Sequence, residues 1–383
     1  MTLSGCNKKQ ETVQEYVVNS TGVIYVGVLL PLSGENADTG QMILESISYA
    51  KETASHIKLD TEYQIELISI DSADLDLAYE RFNTSKVTSV ICYGGDKLTT
   101  DAIINKFNGS GIPLVFLDNH SNLISGTENA FSISVYYNYQ CSAASAYLIE
   151  NFMRNGAALI TEDTDEYRAF ADLFDSTFLS GGGMPVIDYV YDGSDSMIDT
   201  IVSADYDFVF VIGSEADVVS CYRKLHEKGF SGEILLSEIN NKKIVSSSDY
   251  EGLSFISKFE ADDENYIGSD FINVYSAKNS IKKSEVSSAI AYGYDGYMLV
   301  YEVLHSFAKD DPMAAIKGNT SENSDISDIT LSKVLEALRK ITYYGVTDTI
   351  TFGNNGISKT NFIYVDKVVS GYPEMMERYA FSN

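Results

Sequence analysis

Hydrophobic positions fall into two alternating patterns from Val23 onward. Continuous apolar runs such as Val23 to Leu30 (VIYVGVLL) predict strands of a parallel sheet covered on both faces. Between such runs, apolar residues recur at helical spacing. Ile43, Ile47, Ala50 and Ala54 make one stripe, which predicts a helix packed back onto the sheet after a turn at Pro31, Ser33 and Gly34. Further strands are predicted at Tyr63 to Ile70, Val87 to Cys92 and Ile112 to Leu117, with helices over Gln41 to Thr53, Leu75 to Ser85 and Thr100 to Phe107. Asp74 and Thr99 precede the second and third helices, where a side-chain oxygen can accept from free N–H groups.

A short strand at Phe131 to Val135 closes this series, and a second with the same rhythm begins at Gly156. Its strands are Ala157 to Thr161, Val186 to Tyr191, Phe208 to Ile212 and Glu233 to Ser237, with helices over Tyr167 to Leu179 and Ala216 to Lys228. Two similar α/β lobes with parallel central sheets are therefore expected in succession. Near Leu253 to Ser257 the chain is expected to cross back to the first lobe. There it adds helices around Phe271 and from Ser287 to Phe307, the latter striped by Ile290, Tyr294, Tyr297, Tyr301 and Leu304. Polar Lys309 to Asp328 reads as an exposed loop. After a helix over Leu331 to Ile341, Ile350 to Phe352 and Phe362 to Val365 are predicted as terminal strands of the second lobe.

Composition narrows the function more than the fold. A chain of 383 residues exceeds a typical single domain, which agrees with two lobes. Its 55 acidic against 27 basic side chains give a formal charge of -28, which repels phosphate backbones and anionic lipid and excludes nucleic acid as a partner. With 44% hydrophobic residues a sizeable core is available, yet no apolar run approaches the ~18 residues of a membrane span.

The four cysteines lack CxxC spacing and disulfide-scaffold density, and Cys92, Cys141 and Cys221 read as buried thiols. Cys6 differs. Leu3-Ser4-Gly5-Cys6 resembles a bacterial lipoprotein processing site, with Cys6 as the lipidated residue and the polar run Asn7 to Ser20 as a tether. The apolar segment of a signal peptide does not precede it, so a native gene with a longer start is expected.

Catalytic constellations are missing: no HExxH, GxSxG, Walker loop or GxGxxG occurs. His56, His120, His226 and His305 show no metal-ligand spacing. The acidic groups Asp71, Asp74 and Asp76, and Asp163, Asp165 and Glu166, lack the glycine and distal glutamate of a calcium loop and read as turn-forming carboxylates. No enzyme, metal or cofactor is expected. Binding at loops beyond the carboxyl ends of strands is the remaining chemistry.

Pro31-x-Ser33-Gly34 followed by Gly40-x-Met42 resembles the first strand, loop and helix of the type I periplasmic binding proteins, the leucine/isoleucine/valine-binding group. Ile70 to Asp76, Ser110 to Leu117, Tyr294-Asp295 and Tyr343 to Gly356 are similar to later segments of that family in the same order, so the resemblance runs from about Val23 to Val369. It implies two Rossmann-like lobes joined by a three-crossing hinge: 23–134 plus 262–345 as the first, 135–261 plus 346–383 as the second, and 1–22 as processing site and tether. It also implies a monomeric, extracytoplasmic solute-binding lipoprotein of an ABC importer, from a Gram-positive bacterium by preference. Such a protein would take an amino acid or similar polar solute by hinge closure and dock on permease subunits. A sensor subunit of a signalling receptor is the alternative.

On that model the ligand-binding residues come from Ser33, from Gly95, Lys97 and Thr99, from Asn119, His120 and Ser121, and from Tyr137, Tyr167, Glu238 and Tyr294. Lys97 and the N–H groups around Gly95 and Thr100 would face a ligand carboxylate. Glu238 would face its ammonium, unless it pairs with a surface lysine such as Lys242. The chain departs from the family at Tyr137, where a second acidic residue is expected, and at Thr39, where an aromatic is expected.

Overall fold

A computed structural model describes residues 22–59, 61–118, 123–134, 137–152, 156–261, 266–308, 329–358 and 362–381. The apolar run Val23–Leu30 forms β1, at the centre of the first sheet. Each of its residues lies in parallel register with Gln64 to Asp71 of β3 (Glu62–Asp71), and Gly27 to Leu29 pair on the other side with β4 (Val90–Cys92). A strand with neighbours on both edges and helices on both faces has no polar side, and its last five residues are all buried. β5 (Leu114–Phe116) and β6 (Ala130–Ser132) extend the parallel set, and β2 (His56–Lys58) adds an antiparallel edge, giving the order β2-β3-β1-β4-β5-β6.

The second sheet repeats this winding. β7 (Ala157–Glu162), β8 (Ile187–Tyr191), β9 (Phe208–Ile212), β10 (Glu233–Leu236) and β11 (Ser254–Ser257) are parallel. Antiparallel β14 (Phe362–Val369) and β15 (Tyr372–Ala380) complete the order β15-β14-β11-β10-β9-β7-β8. In each sheet the first strand lies between the second and third parallel strands. Each lobe therefore has a point where successive crossovers turn in opposite directions, and there the loops at the carboxyl strand ends part to leave a crevice.

Helices cover both faces of each sheet. In the first lobe α1 (Ala37–Thr53), α9 (Ser288–His305) and α10 (Leu331–Lys340) pack on one face, with α2 (Leu75–Ser85) and α3 (Lys97–Phe107) on the other. In the second lobe α4 (Tyr137–Phe152) and α5 (Asp165–Ser180) oppose α6 (Asp195–Ser203) and α7 (Glu215–Glu227). α8 (Tyr266–Asn279) packs beside α9 on the first lobe. Cys92, Cys141 and Cys221 are buried thiols, and no described helix is long and apolar enough to cross a membrane.

Three expectations change. Ser254–Ser257 does not leave the second lobe; it pairs with β10 and β14, and the crossing follows it. Ile350 to Phe352 does not join the second sheet, because Thr349–Thr351 (β13) closes a local hairpin with Thr342–Tyr344 (β12), and Ile350 and Phe352 pack in the first-lobe core. α3 starts at Lys97, so its cap is Asp96 and not Thr99. Residues 309–328 lie outside those described.

The chain passes between the sheets after β6, after β11 and before β14, and the three segments lie side by side. Ser132 N–H donates to Gly356 O at 2.9 Å, Ser358 N–H to Ser132 O at 2.8 Å, and Lys258 Nζ to Ser134 Oγ at 2.7 Å. Asp295, fully buried on α9, fixes the β12–β13 hairpin by accepting from Val346 N–H (2.9 Å), Thr347 N–H (2.8 Å), Thr347 Oγ1 (2.5 Å) and Tyr343 OH (3.1 Å). Burial outweighs these donors and pushes its carboxyl up to about 6. Asp295→Ala leaves those donors without their acceptor, so we expect a loss of roughly 2–5 kcal/mol in urea unfolding, with a loss below about 1 kcal/mol contradicting this anchoring.

Candidate functional site

The carboxyl ends of β1 and β4 face those of β7, β9 and β10 across a cavity of about 630 Å³ between the two sheets. The first lobe contributes Glu35 and Asn36 after β1, and Tyr93, Gly95, Asp96 and Lys97 after β4. The second contributes Glu162 after β7, Gly213, Ser214 and Glu215 after β9, and Ser237, Glu238 and Asn240 after β10. Tyr137 and Gln140 of α4 and Glu166, Tyr167 and Phe170 of α5 close one side. A volume near the middle of the usual range for ligand pockets suits a small solute.

Polarity is one-sided. Among the described lining residues nine are Asp or Glu and one, Lys97, is basic. Lys97 Nζ forms an ion pair with Asp101, the next turn of its own helix. Glu238 is not an open carboxylate: Lys258 Nζ lies 2.9 Å from its Oε2, and Gln140 Nε2 donates to the same oxygen at 3.2 Å. Lys242, the expected alternative partner, is instead fully buried between Glu260 (2.9 Å) and Asp366 (2.6 Å), beneath the second hinge segment.

The N–H groups expected to meet a ligand carboxylate have acceptors within the protein. Gly94 and Gly95 donate to Asp118 Oδ2 at 2.9 and 2.8 Å, with Gly95 at φ 79°, a left-handed geometry that a residue without Cβ adopts at no steric cost. Thr99 N–H and Oγ1 donate to the Asp96 carboxylate at 2.7 and 2.9 Å, which is the N-cap of α3. Lys97 N–H donates at 2.9 Å to Glu166 Oε2. That bond joins the first lobe to the second across the cleft, and the other Glu166 oxygen accepts from Tyr137 OH. Tyr137 in turn stacks on Phe170, with centroids 4.6 Å apart.

Of the residues picked from sequence, Gly95, Lys97, Tyr137, Tyr167 and Glu238 come together here. Ser33 is exposed and bonds Asp71. Thr99 sits one turn into α3, bound to Asp96. Tyr294 is placed elsewhere, packed on Phe271 with centroids 4.2 Å apart and near Tyr49, an aromatic cluster between α1, α8 and α9. Asn119, His120, Ser121 and Cys6 lie outside the described residues. Gln140 and Glu162 were not anticipated, and Glu166 had read as a turn residue. Their signal in the chain is position alone, at a strand end or in the first turn or so of a helix.

The chain matches the family model for the periplasmic binding proteins over residues 23–371, nearly the whole described length. It belongs to that family. The fold agrees with those of the leucine-binding protein LivK of Thermotoga maritima (19% identity, 93% of this chain and 99% of that one, TM-score 0.78) and LivJ of Streptococcus pneumoniae in complex with isoleucine (19% identity, 94% and 99%, TM-score 0.76). A solute-binding protein of an ABC transporter from R. palustris, in complex with benzoate, superimposes with TM-score 0.75 at 15% identity, covering 94% of this chain and 96% of that one. A search of curated proteins by sequence finds no match. As a type I periplasmic binding protein, this chain is built to hold a solute between two like-wound lobes.

Electrostatics of the cleft follow from burial. Tyr93 and Tyr137 have phenols held well above their usual range by desolvation and by neighbouring carboxylates, so both stay neutral. Burial pushes Glu215 up to about 7, although Asn240 N–H and Asn241 N–H (3.1 Å) donate to its Oε1; the facing groups are Glu238, Tyr93 and Tyr167. A raised carboxyl favours folding below its unfolded pKa, near 4.5, and this contribution is lost as pH rises through about 7. Between those limits the unliganded wild type should therefore lose roughly 1–3 kcal/mol relative to Glu215→Gln in denaturant unfolding. A pH-independent difference would show that folding does not raise this carboxyl's pKa.

Proposed function

We propose that this chain is the solute-binding component of an ABC importer working outside the cytoplasmic membrane. It captures an amino acid or a related small polar solute in the cleft and delivers it to permease subunits. The observation that carries the reading is the cavity lying between the carboxyl ends of two sheets wound alike, with lining residues drawn from both lobes. A solute touching both lobes favours their closed arrangement by as much as it binds that arrangement better than the open one. The surface so formed is what a permease would read.

Support for the solute's size comes from the cavity volume, and support for its class from the acidic wall and from the leucine, isoleucine and benzoate named for the structural relatives. A thermal-shift screen over amino acids, amides, amines, aromatic acids and small peptides identifies it, since a solute at 100 times its Kd adds about 2.7 kcal/mol. X-ray scattering of the monomeric protein then tests the motion. We expect the radius of gyration to fall when the solute is added, and no change at saturation would contradict hinge closure.

The same reading places the protein on the surface of a Gram-positive cell, with Cys6 lipidated and residues 7–20 as its tether. Two acyl chains anchor firmly, because each buried methylene contributes about 0.8 kcal/mol whereas one chain binds reversibly. Expressed from the full native gene, wild type should partition with membranes and Cys6→Ala should not. Equal partition would rule out this anchor.

A further inference from the structure

Four helices, α1, α3, α5 and α7, begin at the cleft wall, and the N-terminus of a helix is ordinarily where a bound carboxylate is received. At α1 the cap residue Asn36 makes no side-chain capping bond and Asp38 stands in the first turn; the other three starts already hold an oxygen of the protein. Asp96 caps α3 at Thr99 N–H, and Glu166 reaches over from the second lobe to Lys97 N–H. Thr164 Oγ1 accepts from Tyr167 N–H at the start of α5 (3.2 Å). At α7 Ser214 Oγ accepts from Asp217 N–H (3.4 Å), and Ser214 N–H donates to Glu162 Oε2 (2.7 Å). The glycine turn before α3 is likewise bound to Asp118.

What the cleft offers is the opposite chemistry. Gln140 is 2% exposed, and its Oε1 has no hydrogen-bond partner among the described residues. The direction of its amide is set by Nε2 donating to Glu238, so the atom left over is an acceptor, which calls for an N–H or O–H donor. Among the described residues lining the same cavity, carboxylates are in ninefold excess over lysine, and the rings of Tyr93 and Tyr167 stand with them. Carboxylates and aromatic faces both attract an ammonium or guanidinium group.

Resting on the reading of the cleft as the solute site, we infer that the solute is an organic amine or guanidine carrying no carboxylate, with Glu166 occupying the place a ligand carboxylate would take at the α3 N-terminus. Glu166 is then a specificity residue. A solute bringing its own carboxylate would have to displace Glu166 from Lys97 N–H and bring a further negative charge into an already acidic cavity. An amine meets the buried Gln140 oxygen and neutralises part of that charge.

Matched pairs differing only by a carboxylate test this by titration calorimetry on the full chain: 1,4-diaminobutane against ornithine, agmatine against arginine, and 3-methylbutylamine against leucine. In at least one pair the amine should bind at least about tenfold more tightly than its amino acid. Glu166→Ala, which frees Lys97 N–H at the α3 N-terminus, should move that ratio at least about tenfold toward the amino acid. If the alanine variant does not fold, Glu166→Gln keeps the shape and should lower amine affinity without lowering amino-acid affinity. Amino acids binding as tightly as their amines in all three pairs overturn the inference and leave the solute-binding reading standing, as does an unchanged ratio in a folded Glu166 variant. Absence of binding by every amine also overturns it. The broader reading fails separately, if no small solute of any charge binds in the cleft.

Discussion

Helix N-termini converging on one enclosed space set the terms for the rest of this molecule. Parallel strands followed by helices place the helix starts at the carboxyl edge of each sheet, and two such edges face each other here. Free N–H groups in an enclosed space are costly, so each must find an acceptor in the protein or in a ligand. In this chain Asp96, Asp118, Thr164, Ser214, Glu162 and Glu166 supply acceptors at three of those starts and at the glycine turn. An acidic interior is the consequence, with the α1 start left without a side-chain cap beside Glu35 and Asp38, and Gln140 Oε1 marks where a donor is wanted.

Closure and selectivity meet in the same residues. Glu166 belongs to the second lobe yet bonds the first, so the group that fills the α3 terminus also holds the lobes together at the cleft. Lys258 plays the matching part at the hinge, joining Ser134 of one crossing to Glu238 on the cleft floor. Both of its bonds are largely buried, and removing either partner would leave a charge or polar group without compensation. A solute that alters the charge near Glu238 therefore acts directly on the hinge.

Legibility in the sequence followed burial. β1 and β9 are apolar throughout because they are covered on both faces, and their ends were placed to the residue. The edge strand β15 escaped notice because much of it is exposed and it pairs only with β14, and α6, at nine residues, offers too short a stripe. An apolar run announces a strand without saying which sheet it joins, hence the misplacement of Ser254–Ser257 and of the hairpin at Ile350. Strand-end loops were readable as the cleft, so Gly95, Lys97, Tyr137, Tyr167 and Glu238 could be gathered from sequence. Who satisfies whom could not be read: Gly95 meets Asp118 and Lys97 meets Glu166 across separations of 23 and 69 residues, set only by the folded chain.

A crystal structure of the protein with the solute that stabilises it most tests the central claim directly. The account places the solute in the cavity between Tyr93, Gln140 and Tyr167, with an N–H group donating to Gln140 Oε1 and Glu166 still bonded to Lys97 N–H. A solute seated instead in the hollow of about 440 Å³ on the second lobe, beside Arg223, Lys224 and Tyr250, would contradict it. So would a solute carboxylate standing at Lys97 N–H with Glu166 swung away.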